Sequence, residues 1–120
     1  MSAKKIVTEL YASEALIKPK LLATFLHPEF HLEWHSITGL IQMNRTEFIE
    51  FAEKLGIAYE RLFVRINQIT KDKGVVSARG NISVRILENP SEQIYLSNFM
   101  AMWEVKDDLI YRGYHMNQHA

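Results

Sequence analysis

Hydrophobic spacing changes period near residue 58, and that change limits the chain to few architectures. Before it, apolar residues recur at helical spacing; after it, they alternate. Ile6, Val7, Leu10 and Tyr11 form one face of a helix over residues 3–14. A second helix begins near Pro19, where proline suits the first turn, and buries Leu21, Leu22, Phe25 and Leu26. It stops at His27-Pro28, because the residue before proline is pushed out of helical geometry. Residues 30–35 alternate, with Phe30, Leu32 and Trp34 on one side and His31, Glu33 and His35 on the other. That predicts a short strand. Gly39 marks a turn. Asn44 then serves as N-cap of a third helix, with Glu47 in capping-box position. Phe48, Phe51, Ala52 and Leu55 supply its apolar stripe, and Gly56 its stop.

Beyond residue 58 the period is two. Strands are predicted over 60–70, 75–87, 93–105 and 109–117, with turns at 71–74, at Asn89-Pro90 and at 106–108. Leu62, Val64 and Ile66 share a face of the first, and Val76, Ala78, Ile82, Val84 and Ile86 a face of the second. Gly80 and Gly113 stand alone within strands, where they mark curvature or close approach. The fold class is α+β, a single domain over residues 1–120. Three N-terminal helices pack on a strongly curved, mainly antiparallel sheet.

Composition narrows the function. Lys plus Arg is 14 and Asp plus Glu is 14, so the formal charge is zero. Nucleic acid is a poor partner for a chain with no bulk attraction to phosphate. The absence of cysteine removes thiolate chemistry and cysteine metal sites. The five histidines do not form a metal set by spacing. His27, His31 and His35 fall on a helix end and a strand, where four residues span about 13 Å. The longest unbroken apolar run, from Phe99 to Trp103, is far short of a membrane span. No apolar signal run follows residues 1–5, so a cytoplasmic protein is expected, with no membrane or nucleic-acid partner and no metal or other cofactor. Phosphate loops, nucleophile elbows, HExxH pairs and dinucleotide glycine motifs are all lacking.

The order of elements resembles the nuclear transport factor 2-like superfamily, which includes SnoaL-like polyketide cyclases and ketosteroid isomerases. His27-Pro28-Glu29-Phe30 and the strand after it resemble the family's loop after helix two and its pocket strand. Gly39, with Arg45-Thr46-Glu47-Phe48, resembles the glycine and third helix that follow. The stretch from Met102 to Ile110 is similar to the closing hairpin, although Asp108 stands where the family usually has glycine; aspartate tolerates the left-handed conformation. The resemblance covers residues 3–118. It implies a cone with a pocket between sheet and helices, and a homodimer through the outer sheet face. Ile94, Leu96, Met100, Met102, Tyr114 and Met116, with Phe63, would form that face. It implies no single activity, so the site must be argued from its residues.

Steroid-type isomerisation needs a carboxylate base, a tyrosine and a protonated aspartate. The resemblance puts the tyrosine at Tyr11, but the base near Trp34-His35 and the second acid near Ala101, none of them carboxylates. His115 is the stronger candidate. Gly113, His115 and Asn117 share a face of the last strand, and the same parity on the preceding strand gives Ser97, Phe99, Ala101 and Trp103. The resemblance makes this the covered face, and the bare Gly113 would leave room beside His115. The expected ligand-binding set is Tyr11, Trp34, Phe99, Trp103, His115 and Asn117. His115 is the candidate catalytic acid or base, joined by His35 at the pocket mouth in one reading of the short strand; in the other, Trp34 lies in the core and Glu33 and His35 face solvent. Tyr95, Phe99 and Trp103 form one aromatic stripe at strand spacing. The expected function is binding of a small hydrophobic molecule. The alternatives are acid–base chemistry on a polyketide-like or other hydrophobic carbonyl compound, and a protein-interaction module that uses the sheet face.

Overall fold

The computed structural model describes residues 2–120. Ser2 caps α1 (Ala3–Ala12), its hydroxyl accepting from the Lys5 N–H, and the Ile6, Val7, Leu10 and Tyr11 face is buried. A short 3-10 turn (Ala15–Ile17) leads into α2 (Pro19–Phe25), opened by its proline. Leu26 is already extended, and β1 runs Leu26–Ser36, longer at both ends than its alternation predicts. Pro28 is tolerated there because pairing to the neighbouring strand is broken between Leu26 and His31.

Where only a turn is predicted at Gly39, a further strand, β2 (Gly39–Asn44), pairs antiparallel with β1. Helix α3 (Arg45–Ala58) opens with the capping box. Glu47 N–H donates to Asn44 Oδ1 and Asn44 N–H to Glu47 Oε1, both at 2.9 Å. The helix continues past Gly56. That glycine permits close approach instead of a stop, since a Cβ there would lie 2.5 Å from the Ile17 carbonyl oxygen.

The long strands are β3 (Tyr59–Asp72), β4 (Val75–Ile86), β5 (Asn89–Lys106) and β6 (Leu109–His119). The sheet order is β2-β1-β6-β5-β4-β3, with β1 and β6 parallel and every other pair antiparallel. The helices cover one face, and the core lies between them and Phe30, Leu32, Leu62, Val76, Val84, Phe99, Trp103 and Ile110. Between β5 and β6, Asp107 and Asp108 have φ of 55° and 60°. Two left-handed residues make a tight hairpin whose twist matches the strands, and the second aspartate accepts the place of a glycine. Among the described residues no helix is long and apolar enough to cross a membrane.

Several register breaks interrupt the ladders, and two of them bear on the site. Asn67 is an extra residue on β3 between the pairs Ile66↔Gly80 and Gln68↔Arg79. Gly80 lies under the Arg65 carbonyl, which any Cβ would strike. Leu96 is an extra residue on β5, between Ile82↔Ser97 and Ser83↔Tyr95. A bulge bends its strand and shifts the alternation by one. The aromatic stripe is therefore cut. Phe99 and Trp103 are buried, whereas Tyr95 is 50% exposed on the other side. Leu96, expected on the outer face, packs against the core instead.

One ion pair ties the helical layer to the sheet edge. Glu14 sits in the left-handed region, φ 61°. Its carboxylate accepts from Arg61 Nε at 2.9 and 3.1 Å and from the Leu62 N–H at 2.9 Å. Partial burial pushes its carboxyl up, but the hydrogen bonds from Arg61 and Leu62 and the charges of Arg61 and Lys18 outweigh this and hold it below the usual range. A depressed carboxylate stabilises the fold above its unfolded-state pKa, and the gain is lost as pH falls through the folded value. Glu14→Gln should therefore cost about 1–2 kcal/mol at pH 7 in a urea titration. The difference from wild type should close as pH falls below the carboxylate range; a constant difference would mean that the charge is irrelevant.

Candidate functional site

Strand pleating sends His115 and Asn117 of β6, and Ser97, Phe99 and Trp103 of β5, to the helix-covered face. The registers Phe99↔Asn117, Ala101↔His115 and Trp103↔Gly113 set them side by side. From β1, the parallel pairing Trp34↔His115 brings the Trp34 indole alongside. Trp34 Nε1 donates to Asn117 Oδ1 at 2.8 Å, His115 Nδ1 lies 2.8 Å from the same oxygen, and Asn117 Nδ2 donates to Ser97 Oγ at 3.0 Å. The four side chains form one continuous polar network in an otherwise apolar layer.

Next to it lies a cavity of about 430 Å³. Its walls come from three sources: Phe48, Phe51 and Leu55 of α3; Trp34, Ile37 and Ile41 of the β1–β2 hairpin; and Leu62, Ile82, Leu96 and Trp103 of the sheet. Ser97, His115 and Asn117 line it too, with Thr38 and His119 on its exposed side. Trp34 is held by Phe51, ring centroids 5.3 Å apart. The His115 ring stacks on Phe99 at 5.3 Å and meets Trp103 at a steep angle. This enclosure disfavours the imidazolium. Burial lowers the His115 pKa to about 4, against a smaller opposing effect of the Asn117 hydrogen bond. At neutral pH the ring is uncharged.

The expected set divides in two. Trp34, Trp103, His115 and Asn117 line the cavity, while Tyr11 and Phe99 lie behind the wall. Tyr11 is fully buried and its hydroxyl oxygen accepts from Trp103 Nε1 at 2.8 Å. Removal from water pushes its phenol well above the usual range. Gly113 does not leave ligand space. A Cβ there would meet Trp103 Cζ3 at 2.5 Å and Leu32 Cδ1 at 2.9 Å, so the indole occupies the notch.

His35 is not at the pocket mouth. It alternates with Trp34 and so lies on the opposite sheet face, where its Nε2 is 2.9 Å from Glu33 Oε2. Both border an open groove of about 530 Å³ with Arg79, Met100, Met102, Tyr114 and Met116. His31 pairs with Gln42, and His27 packs edge-on against Tyr111. Ser97, Leu96, His119 and the β1–β2 hairpin residues beyond Trp34 are cavity elements absent from the expected set. Ser97 carried a signal, since it shares the parity of Trp103. Leu96 depends on a bulge, and the hairpin on a six-residue strand too short to declare its period.

A histidine held neutral makes stability depend on pH. The unfolded ring binds its proton near pH 6.5 and the folded one near 4, so the unfolded state gains protons first as pH falls. Stability should drop between those values, by about 3 kcal/mol in total. His115→Gln should lose that part of the pH dependence in denaturant titrations from pH 7 to 4. A wild-type profile parallel to the variant's would contradict it.

No family model and no curated relative matches the sequence. Solved structures do match. IdmH from Streptomyces antibioticus, assigned as a polyketide cyclase, superposes with TM-score 0.77 at 11% identity, over 98% of this chain and 93% of that one. A protein from Jannaschia sp. CCS1 assigned as a SnoaL-like polyketide cyclase gives 0.72 at 14%, over 97% and 85%. A protein from Catenulispora acidiphila with a ketosteroid isomerase-like fold, solved in complex with trimethylamine, gives 0.74 at 16%, over 95% and 85%. Identities this low speak for the fold alone, and the chain has the nuclear transport factor 2-like cone fold shared by SnoaL-like and ketosteroid isomerase-like proteins.

Proposed function

We propose that this protein binds a small hydrophobic molecule in the cavity between α3 and the sheet. The supporting observation is the distribution of its walls: aromatic and aliphatic on most sides, with His115, Asn117 and Ser97 hydrogen-bonded together. A volume of about 430 Å³ suits a metabolite-sized ligand. Few polar groups fix orientation, and shape does the rest. The neutral fluorophore N-phenyl-1-naphthylamine should bind with enhanced emission. Leu55→Trp, which projects an indole into the space from α3, should weaken that binding about tenfold or more with the melting temperature little changed. Equal affinity would remove the cavity as the site.

A second reading is acid–base chemistry on a hydrophobic carbonyl compound. It is favoured by one observation: His115 lines the cavity as an uncharged imidazole able to take a proton. His115 would be the proton acceptor, and its rate contribution would rise with pH through about 4.

The same proposal includes a homodimer through the open sheet face. Met100, Met102, Tyr114 and Met116 are 64, 49, 40 and 55% exposed there, and soluble monomers rarely leave such a contiguous patch in water. Sedimentation at micromolar concentration should give a dimer, and Met100→Glu a monomer. A wild-type monomer that stays soluble would turn the proposal toward a different partner for that face.

A further inference from the structure

The polar network fixes the position of one proton, and that proton determines what the cavity can recognise. An indole N–H only donates. The atom 2.8 Å from Trp34 Nε1 must therefore be the Asn117 carbonyl oxygen, and the amide nitrogen must face Ser97 Oγ, which accepts. The amide cannot turn over without opposing two donors. His115 Nδ1 is 2.8 Å from that same oxygen. A carbonyl oxygen has no proton to give, so Nδ1 carries the hydrogen. In the neutral ring the lone pair then belongs to Nε2. Among the described residues Nε2 has no hydrogen-bond partner, and it is not among the fully enclosed unpaired atoms. The ring lines the cavity. Ser97 Oγ, already accepting from Asn117, keeps its own hydrogen free.

We propose, building on the cavity reading above, that Trp34 and Asn117 are positioning residues that hold His115 as its Nδ1–H tautomer, so that the pocket takes an uncharged apolar molecule bearing a hydroxyl group in preference to a matched ether or ketone. A hydroxyl donates to Nε2. An acceptor-only ligand strips water from Nε2 and gives nothing back. An unpaired buried acceptor costs about 1–3 kcal/mol, which is roughly tenfold or more in affinity. Among the described residues the cavity walls hold no carboxylate, lysine or arginine to oppose a charged ligand.

The test uses the full chain, uniformly ¹⁵N-labelled, at pH 7. Long-range ¹H–¹⁵N spectra should show a protonated, pyrrole-type Nδ1 and a pyridine-type Nε2 at His115. Titration with 2-naphthol should move the Nε2 resonance. Calorimetry should give 2-naphthol at least about tenfold tighter binding than 2-methoxynaphthalene. Trp34→Phe frees the amide to turn, so both tautomers should appear and the preference should shrink. The wild-type spectrum decides the tautomer even if that variant fails to fold. An Nε2–H tautomer, or equal affinity for the two probes, overturns this inference and leaves the cavity reading standing. Binding of neither probe overturns both.

Discussion

The Trp103 indole is the contact on which the rest of the interior depends. It is the largest fully buried side chain, 1% exposed, in the middle of a sheet. A buried indole brings an N–H that must be satisfied, and Tyr11 of α1 accepts it. That bond sets the rotation of α1, and with it the direction in which Ile6, Val7 and Leu10 face. The ring also needs volume. Gly113 on the adjacent strand supplies it, and the indole fills the notch that any other residue would occupy. Because Trp103 closes that end of the layer, the remaining space lies beyond it, toward His115 and Asn117. The cavity begins where the packing of this ring stops.

Curvature makes the space, and the curvature has local causes. Asn67 and Leu96 are extra residues on β3 and β5, and Gly80 allows β3 to approach β4 at the first of these bends. A flat sheet would let α3 settle onto Leu62 and Ile82 and close the gap. The bulge at Leu96 acts twice. It bends β5, and it turns Leu96 and Ser97 both toward the cavity, where strict alternation would send one of them away. Ser97 keeps the parity of Phe99 and Trp103 and faces the Asn117 amide by ordinary alternation, so what the bulge adds to the wall is Leu96.

This explains which parts of the molecule were legible from the chain. The switch of period near residue 58, the Asn44–Glu47 box and Pro19 announce three helices and the long strands, because each is a local pattern with one physical meaning. The parity of Gly113, His115 and Asn117 is legible for the same reason, as no bulge interrupts β6 in that stretch. Three things were not. A bulge leaves no mark in a sequence of apolar residues, so Tyr95 reads as a partner of Phe99 when it lies on the other face. Strand β2 is too short for its alternation to stand out. The fate of the Gly113 space depends on a rotamer of Trp103, a tertiary property. His35 was ambiguous only because a short strand can be read in either of two parities; its pairing with Glu33 on the open face follows once Trp34 is known to turn inward.

The residue beside His115 is an amide, and that choice decides the character of the site. A carboxylate at position 117 would also accept from Trp34 and from Nδ1. It would add a negative charge within hydrogen-bond distance of the ring, favour the imidazolium and raise its pKa. The ring would then have a second N–H to donate, and the cavity would suit an oxyanion or a carbonyl. With Asn117 the network is neutral throughout: one carbonyl oxygen takes two N–H donors, and the amide hydrogen goes to a serine. Burial then acts on the histidine almost unopposed and keeps it uncharged. Isomerase chemistry on the same cone needs acids that donate to a developing oxyanion. Here Tyr11 accepts from Trp103 behind the cavity wall. The cavity side of this network thus carries an uncharged imidazole and a serine hydroxyl, and no acid of the isomerase kind stands beside them among the described residues.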